Sequence, residues 1–395
     1  MMRRLLGLPL AAGLVLALVG SFFFAVPVYV DGTMNAVDTA SGIAVTEQAR
    51  ALHGTLRIVD LHDDLLLWDR GPLGPHRRGH TDVTRLAEGN VAVEVFSTVT
   101  KTPKGQNYER NPSTTDNVTL LAIASRWPPR TYGSLLQRAL WQGTKLERTA
   151  ALSQGRLVLV RSAPDLRHAL QRRAEFRGPD AERPVIGFLN TEGLHALEGR
   201  LEHVDTLAAH GFRMAGLAHF FDNEVAGSAH GEAKGGLTPL GREVIARMER
   251  LGMIVDLAHS APAAFREALM VATRPVVVSH GGVQATCPGP RNLSDDQLRA
   301  LAANGGLIGI GYWDAAACST SPRDVARAIR HAVTVAGLEH VALGSDWDGA
   351  TTVAIDARGL PQLTQALLDA GFTEAEIRAV MGENAIRFLL ANLPS

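Results

Sequence analysis

Cysteine is nearly absent: Cys287 and Cys318 are the only two in 395 residues. Two thiols exclude a cysteine-based metal centre. In an exported chain they can instead form one disulfide, and both follow predicted strand ends that should be neighbours. Lysine is almost as scarce. Only Lys101, Lys104, Lys145 and Lys234 occur, so nearly all the positive charge is arginine. No basic run is present and the net charge is -1, which gives no broad attraction for phosphates and implies no nucleic-acid partner. No Gly-x-Gly-x-x-Gly follows the first predicted strand, so a dinucleotide-binding sheet is disfavoured.

Charge is missing altogether from Leu5 to Val30. An uncharged run of that length can cross a bilayer. A cleaved signal peptide would have a shorter apolar core and a small-x-small cleavage site. Phe22-Phe23-Phe24-Ala25-Val26-Pro27-Val28-Tyr29-Val30 offers no clean site of that kind. The reading is an uncleaved anchor. Arg3 and Arg4 stay in the cytoplasm by the positive-inside rule. The rest of the chain then lies outside the cytoplasm: on the periplasmic side of the inner membrane if the source is bacterial. The domain plan is a basic stub at 1–4, an apolar span at 5–30, a linker at 31–55 and one catalytic domain at 56–395. The linker turns helical over Ile43–Leu52.

What is present after the linker is a recurring unit. Short apolar runs, each followed by a longer helical stretch, fall at Leu56–Asp64, Val91–Thr98, Pro184–Glu192, Phe212–His219, Met253–Ser260, Pro275–His280, Gly306–Trp313 and His340–Asp346. Gly241–Leu251 carries Val244, Ile245, Met248 and Leu251 at helical spacing. Ser294 or Asp295 reads as a helix cap. Ser321–Ala336 and Thr373–Leu390 are further amphipathic helices. Eight strand–helix units predict a parallel (β/α)8 TIM barrel; an open doubly wound sheet is the alternative. The second-to-third connection, about residues 101–183, is too long for a loop. It contains a polar stretch, helices and an extra edge strand at Leu157–Arg161, and it should cover one side of the barrel mouth.

Barrel active sites sit at the C-terminal ends of the strands. Here those ends carry His62 and Asp64, Glu192, His219, His259, His280 and Asp346, on six strands of eight. His62 and Asp64 share a face by strand alternation, and Asp60 shares it one step deeper. Polar groups converging on one cavity need partners. Two metal ions would supply them. The simplest partition gives His62 and Asp64 to one metal, His259 and His280 to the other, and makes Glu192 the bridge. A hydroxide shared by two such metals forms near neutral pH and attacks an acyl or phosphoryl centre. Ligands of this type suit zinc best, with manganese or iron as alternatives.

The order and spacing of these pieces resemble the renal, or membrane, dipeptidases, zinc peptidases of the amidohydrolase-like barrel superfamily. The likeness runs from about Ile58 to Leu390. It is carried by Asp60-Leu61-His62-Asp63-Asp64-Leu65, Thr191-Glu192-Gly193, Leu217-Ala218-His219, Gly236-Leu237-Thr238-Pro239-Leu240-Gly241, Leu251-Gly252-Met253-Ile254-Val255-Asp256-Leu257-Ala258-His259-Ser260, Ser279-His280, Arg291-Asn292-Leu293-Ser294-Asp295-Asp296 and Gly344-Ser345-Asp346-Trp347-Asp348-Gly349. The resemblance implies two Zn2+ per chain, held by His62, Asp64, Glu192, His259 and His280. It implies that His219 stabilises the tetrahedral oxyanion and that Arg291 clamps the substrate's C-terminal carboxylate. Asp346 would be the proton shuttle, and Asp348 a structural or supporting residue. The substrate would be a dipeptide or related small acyl compound with a free carboxylate, and a homodimer is allowed.

Leu61 and Asp63 depart from the Gly and Asn common in the family, but both should point away from the metals. The segment Phe220–His230 also departs and should line the substrate mouth. Two other functions are alternatives. A related barrel hydrolase could cleave a lactam or lactone. The phosphotriesterase-like branch, with His-x-His and a carbamylated lysine, fits poorly, because none of the four lysines ends a strand. A membrane-anchored binding protein on a degenerate barrel should have lost a ligand or Asp346, and every position is filled.

Overall fold

The computed structural model describes residues 17–395. The stub at 1–4 and the start of the apolar span, residues 5–16, lie outside the described residues. Eight parallel strands close into a ring. They are β1 (Ile58–Asp63), β2 (Val91–Phe96), β3 (Val185–Thr191), β4 (Phe212–Gly216), β5 (Ile254–Asp256), β6 (Val277–Gly281), β7 (Leu307–Ile310) and β8 (Val341–Leu343). The ring is completed where Leu343 of β8 pairs with Asp60 of β1. This is the TIM barrel, and closure rules out the open sheet. Every residue of β1, β2 and β3 is buried, as strands covered on both faces must be.

Seven of the eight strands fall inside the stretches expected of them, β6 runs one residue past its stretch to Gly281, and several stop early. β4, β5 and β8 end three residues before His219, His259 and Asp346. Those residues sit on the turns beyond the strands. His259 and Asp346 adopt positive φ, 60° and 58°, a region that non-glycine residues rarely occupy. A pairing pattern set by alternation cannot reveal such turns.

The helices follow their local signals. Pro239–Arg250 starts at Pro239, is capped by Thr238, and turns Val244, Ile245 and Met248 inward. Ser294 caps Asp295–Ala303 in a full capping box with Gln297. The helix expected at Thr373–Leu390 is instead Glu374–Arg378, a wide turn at Ala379–Glu383, and Asn384–Asn392. Within that wide turn Gly382 lies against the base of β1: a Cβ there would lie 1.7 Å from the carbonyl oxygen of Arg57. The insertion holds helices Val118–Ala124, Leu135–Leu152 and Ala163–Glu175. Its edge strand, Leu157–Leu159, pairs with the first half of β3.

Residues 31–55 do not hang free. Ala17–Met34 is one helix, long and apolar enough to cross a membrane, and it runs past Val30. Ala36–Val37 then pairs with Thr352–Val353, just beyond β8. The helix expected at Ile43–Leu52 lies at Glu47–Gly54, capped by Thr46. Cys287 and Cys318 are joined in a disulfide.

Candidate active site

The strand ends bring together every sequence-derived candidate. Glu192 stands at the centre. Its Oε1 lies 3.5 Å from His62 Nε2, 3.1 Å from His259 Nε2 and 3.3 Å from His280 Nε2. Its Oε2 lies 3.2 Å from His219 Nε2. His62 Nε2 is 3.5 Å from Asp64 Oδ1. Asp346 and Arg291 line the same cavity as Asp64, Glu192, His219 and His259.

The backbone dictates these placements. His62 belongs to β1 and Asp64 follows it, so alternation puts both on the inner face. Glu192 follows β3 and is tied by its N–H to Thr98 O at 3.1 Å. Gly193 has φ 89°, and a Cβ there would lie 2.5 Å from the His195 ring, so only glycine fits. Arg291 is buried; its Nη2 donates to His280 O at 2.8 Å, and its guanidinium sits 5.3 Å above the Trp313 ring.

These residues fit divalent metal. His62 Nε2 and Asp64 Oδ1 are buried with no hydrogen-bond partner. Each such orphan costs about 1–3 kcal/mol. His62, Asp64 and Glu192 form one compact set of ligand atoms, and Glu192, His259 and His280 form another. Burial holds His259 and His280 well below the usual imidazole range. They are neutral at physiological pH, as ligation requires. Burial opposes charge on His62 as well, yet Glu192 and Asp64 carry it up to about 10. The two carboxylates thus draw positive charge to that point. Burial, with Asp64 nearby, pushes Asp346 up to about 8, so its carboxyl can hold a proton near neutrality.

A third set, His62, Asp256 and His280, is equally compact. Asp256 is already satisfied. Its Oδ1 accepts from Ala258 N and Ser279 N, each at 2.9 Å, and its Oδ2 accepts from Ser279 Oγ at 2.6 Å. Ser279 Oγ in turn lies 2.8 Å from His280 Nδ1. Asp256 and Ser279 therefore orient His280, a role that went unseen in the sequence. A signal was there: Ile254-Val255-Asp256-Leu257 repeats Ile58-Val59-Asp60-Leu61. Asp60 does the same work at β1, accepting from His62 N at 3.1 Å and from Ser345 N at 3.0 Å.

Asp63 points away from the site, as alternation requires. Thr81 Oγ1 lies 2.7 Å from Asp63 Oδ2 and 2.8 Å from Asp348 Oδ2. One hydroxyl proton cannot serve both carboxylates. Burial and the neighbouring Asp348 raise Asp63 well above the carboxylate range, so Asp63 carries the second proton. Burial also works against charge on Asp348, but Arg70 and His80 outweigh it and hold Asp348 down at about 2. Asp348 is a structural anion, not a site residue. His230 is a buried loop residue whose Nδ1 lies 2.8 Å from Tyr108 O. It fixes the insertion over the mouth, and Tyr108 lines the cavity.

The family model described as membrane dipeptidase, peptidase family M19, matches residues 46–392. The dipeptidase aclJ of Aspergillus oryzae is 36% identical over 217 residues, 52% of this chain and 51% of that protein; this chain thus matches about half the length of that relative. The dipeptidase tcpJ of Claviceps purpurea is 29% identical over 320 residues, 79% of this chain and 69% of that protein. A metallopeptidase structure from Rhodobacter sphaeroides, liganded with a phosphinate mimic of the dipeptide L-Ala-D-Ala, is 25% identical with a TM-score of 0.66. That match covers 86% of this chain and 99% of the other. By its sequence, its barrel and the residues gathered at its mouth, this chain belongs to the membrane dipeptidase family, peptidase family M19.

Proposed function

We propose that this chain is a metal-dependent dipeptidase with two zinc ions per chain, one held by His62 and Asp64, one by His259 and His280, and both by Glu192. The observation that carries the reading is Glu192, whose carboxylate reaches imidazoles of both sets within 3.5 Å. Two bound divalent cations would act as Lewis acids and bring the pKa of the attacking water to about 7. The chain's own residues do the rest. Arg291 binds the dipeptide's free carboxylate with a fork of donors. His219 donates to the oxygen of the scissile carbonyl as negative charge develops there. Asp346 takes the proton from the attacking water and delivers it to the leaving amine. The insertion and Tyr108 cover the mouth and limit water. The catalytic domain at 56–395 is anchored by the N-terminal helix and works outside the cytoplasm.

The test is amino-acid release from a dipeptide panel, by metal-loaded and chelated protein, beside β-lactam, lactone and C-terminally amidated dipeptide controls. Chelator-sensitive release from free dipeptides, weak on the amides, supports the reading. Faster turnover of the lactam or lactone than of any dipeptide overturns it.

A further inference from the structure

We propose that the helix arriving from the apolar N-terminal span is part of the substrate pocket: Val30 and Met34 form a wall for the side chain of the N-terminal residue of an apolar dipeptide. This rests on the dipeptidase reading above. A cavity of about 530 Å³ at the barrel mouth is lined by Val30 and Met34 together with Glu192, Arg291 and Asp346. A tether would need no contact with that cavity. This segment is built into it.

Asp31 is the first charge after the apolar run, and it is fully buried. It pairs with Arg70, which also pairs with Asp348, and with Arg78 Nε at 2.7 Å. A buried charge persists only when it is paired this way. Asn35 Nδ2 donates to Asp31 Oδ1 at 3.0 Å, and Asn35 Oδ1 accepts from Ala350 N at 3.0 Å. Asp38 N donates to Val353 O at 2.7 Å. The segment from Asp31 to Asp38 is thus stitched to the loop that carries Asp346 and Asp348. Earlier on the same helix, the Arg126 guanidinium of the insertion lies 4.7 Å from the Phe24 ring. Two sides of the mouth therefore hold the helix.

The wall has a defined position. Val30 packs in a cluster with Leu67 and Trp68, just beyond β1, and Val99, three residues beyond the end of β2. Arg291 follows β6. In a ring of eight strands, β2 and β6 face each other across the mouth. A dipeptide whose carboxylate sits on Arg291 therefore points its other end at Val30 and Met34. Val30 is half-buried and Met34 is 45% exposed, so a ligand can still cover apolar surface there.

The test uses the full chain in detergent or nanodiscs, loaded with zinc, and the substrates Leu-Gly, Gly-Leu and Gly-Gly. The double variant Val30→Ala/Met34→Ala should lower kcat/KM for Leu-Gly about tenfold relative to Gly-Gly, mainly through KM. Gly-Leu should track Gly-Gly. Met34→Gln, at a half-exposed position that folding tolerates, should shift the ratio in the same direction. Val28→Ala lies on the same helix, 42% exposed and off the cavity, and should leave the ratio unchanged. An unchanged Leu-Gly to Gly-Gly ratio in the double variant and in Met34→Gln overturns the wall while the dipeptidase reading stands. Parent protein that cleaves none of the three substrates overturns the dipeptidase reading and the wall with it.

Discussion

The same four residues, Ile-Val-Asp-Leu, occur in β1 and at the end of β5, and their aspartates do the same job. Asp60 and Asp256 each accept from the N–H two residues on and from the N–H and Oγ of a serine on a neighbouring segment, Ser345 and Ser279 respectively. The chains beyond them part company. After Asp60 the strand stays extended, so His62 and Asp64 arrive two apart on one face. After Asp256 the strand ends, and His259 is delivered by a turn at φ 60°. One ligand set is thus assembled from His62 at the end of β1 and Asp64 just beyond it. The other takes His259 and His280 from two strands. The local text is shared, and the tertiary path decides what each copy contributes.

Four experiments separate what the two ligand sets contribute. Glu192→Gln touches both halves, so activity should fall to background and bound metal should drop below the parent in both sites, read by dipeptide release and elemental analysis. A variant with full metal content and normal rate would end the idea of a shared carboxylate. Asp346→Asn lies outside both halves. It should lose about 10²–10⁴-fold in turnover while metal content stays at the parental level; metal loss instead would make Asp346 a ligand. Asp60→Asn and Asp256→Asn should each weaken metal affinity about 10–100-fold. The first should affect the half with His62 and Asp64, and the second the half with His280, as followed by competitive cobalt titration. If both variants weaken the same ion, the two motifs are not separate supports. Asp63→Asn should be the mildest, with activity within about twofold of the parent, because an amide can accept from Leu65 N and donate to Thr81 Oγ1. A large loss would show that Asp63 carries needed charge.

His62, Asp64, Glu192, His259 and His280 were legible because each is a ligand-type residue closing an apolar run, and a barrel sends such ends to one mouth. Asp256 and Ser279 were not, because an aspartate inside an apolar run looks like a polar interruption until its partners on other strands are seen. Asp348 lies two residues beyond Asp346, yet it faces Arg70, His80 and Thr81. No period separates the two roles, since both residues have left the strand with positive φ.

The N-terminal region shows the same limit. Its apolar run was readable by composition, and Asp31 read as the start of a linker. Only the fold turns Asp31 into a buried anion between Arg70 and Arg78 and brings Val30 and Met34 into the cavity. The repeating strand–helix unit, the apolar segment and the chemistry of the strand ends are written in the sequence. These are local properties, encoded in the spacing of neighbouring side chains. Which aspartates orient the ligand histidines, which aspartate is charged and which residues line the cavity depend on the tertiary structure. Those depend on contacts between residues up to about three hundred positions apart, such as Asn35 with Ala350, and no local pattern carries them.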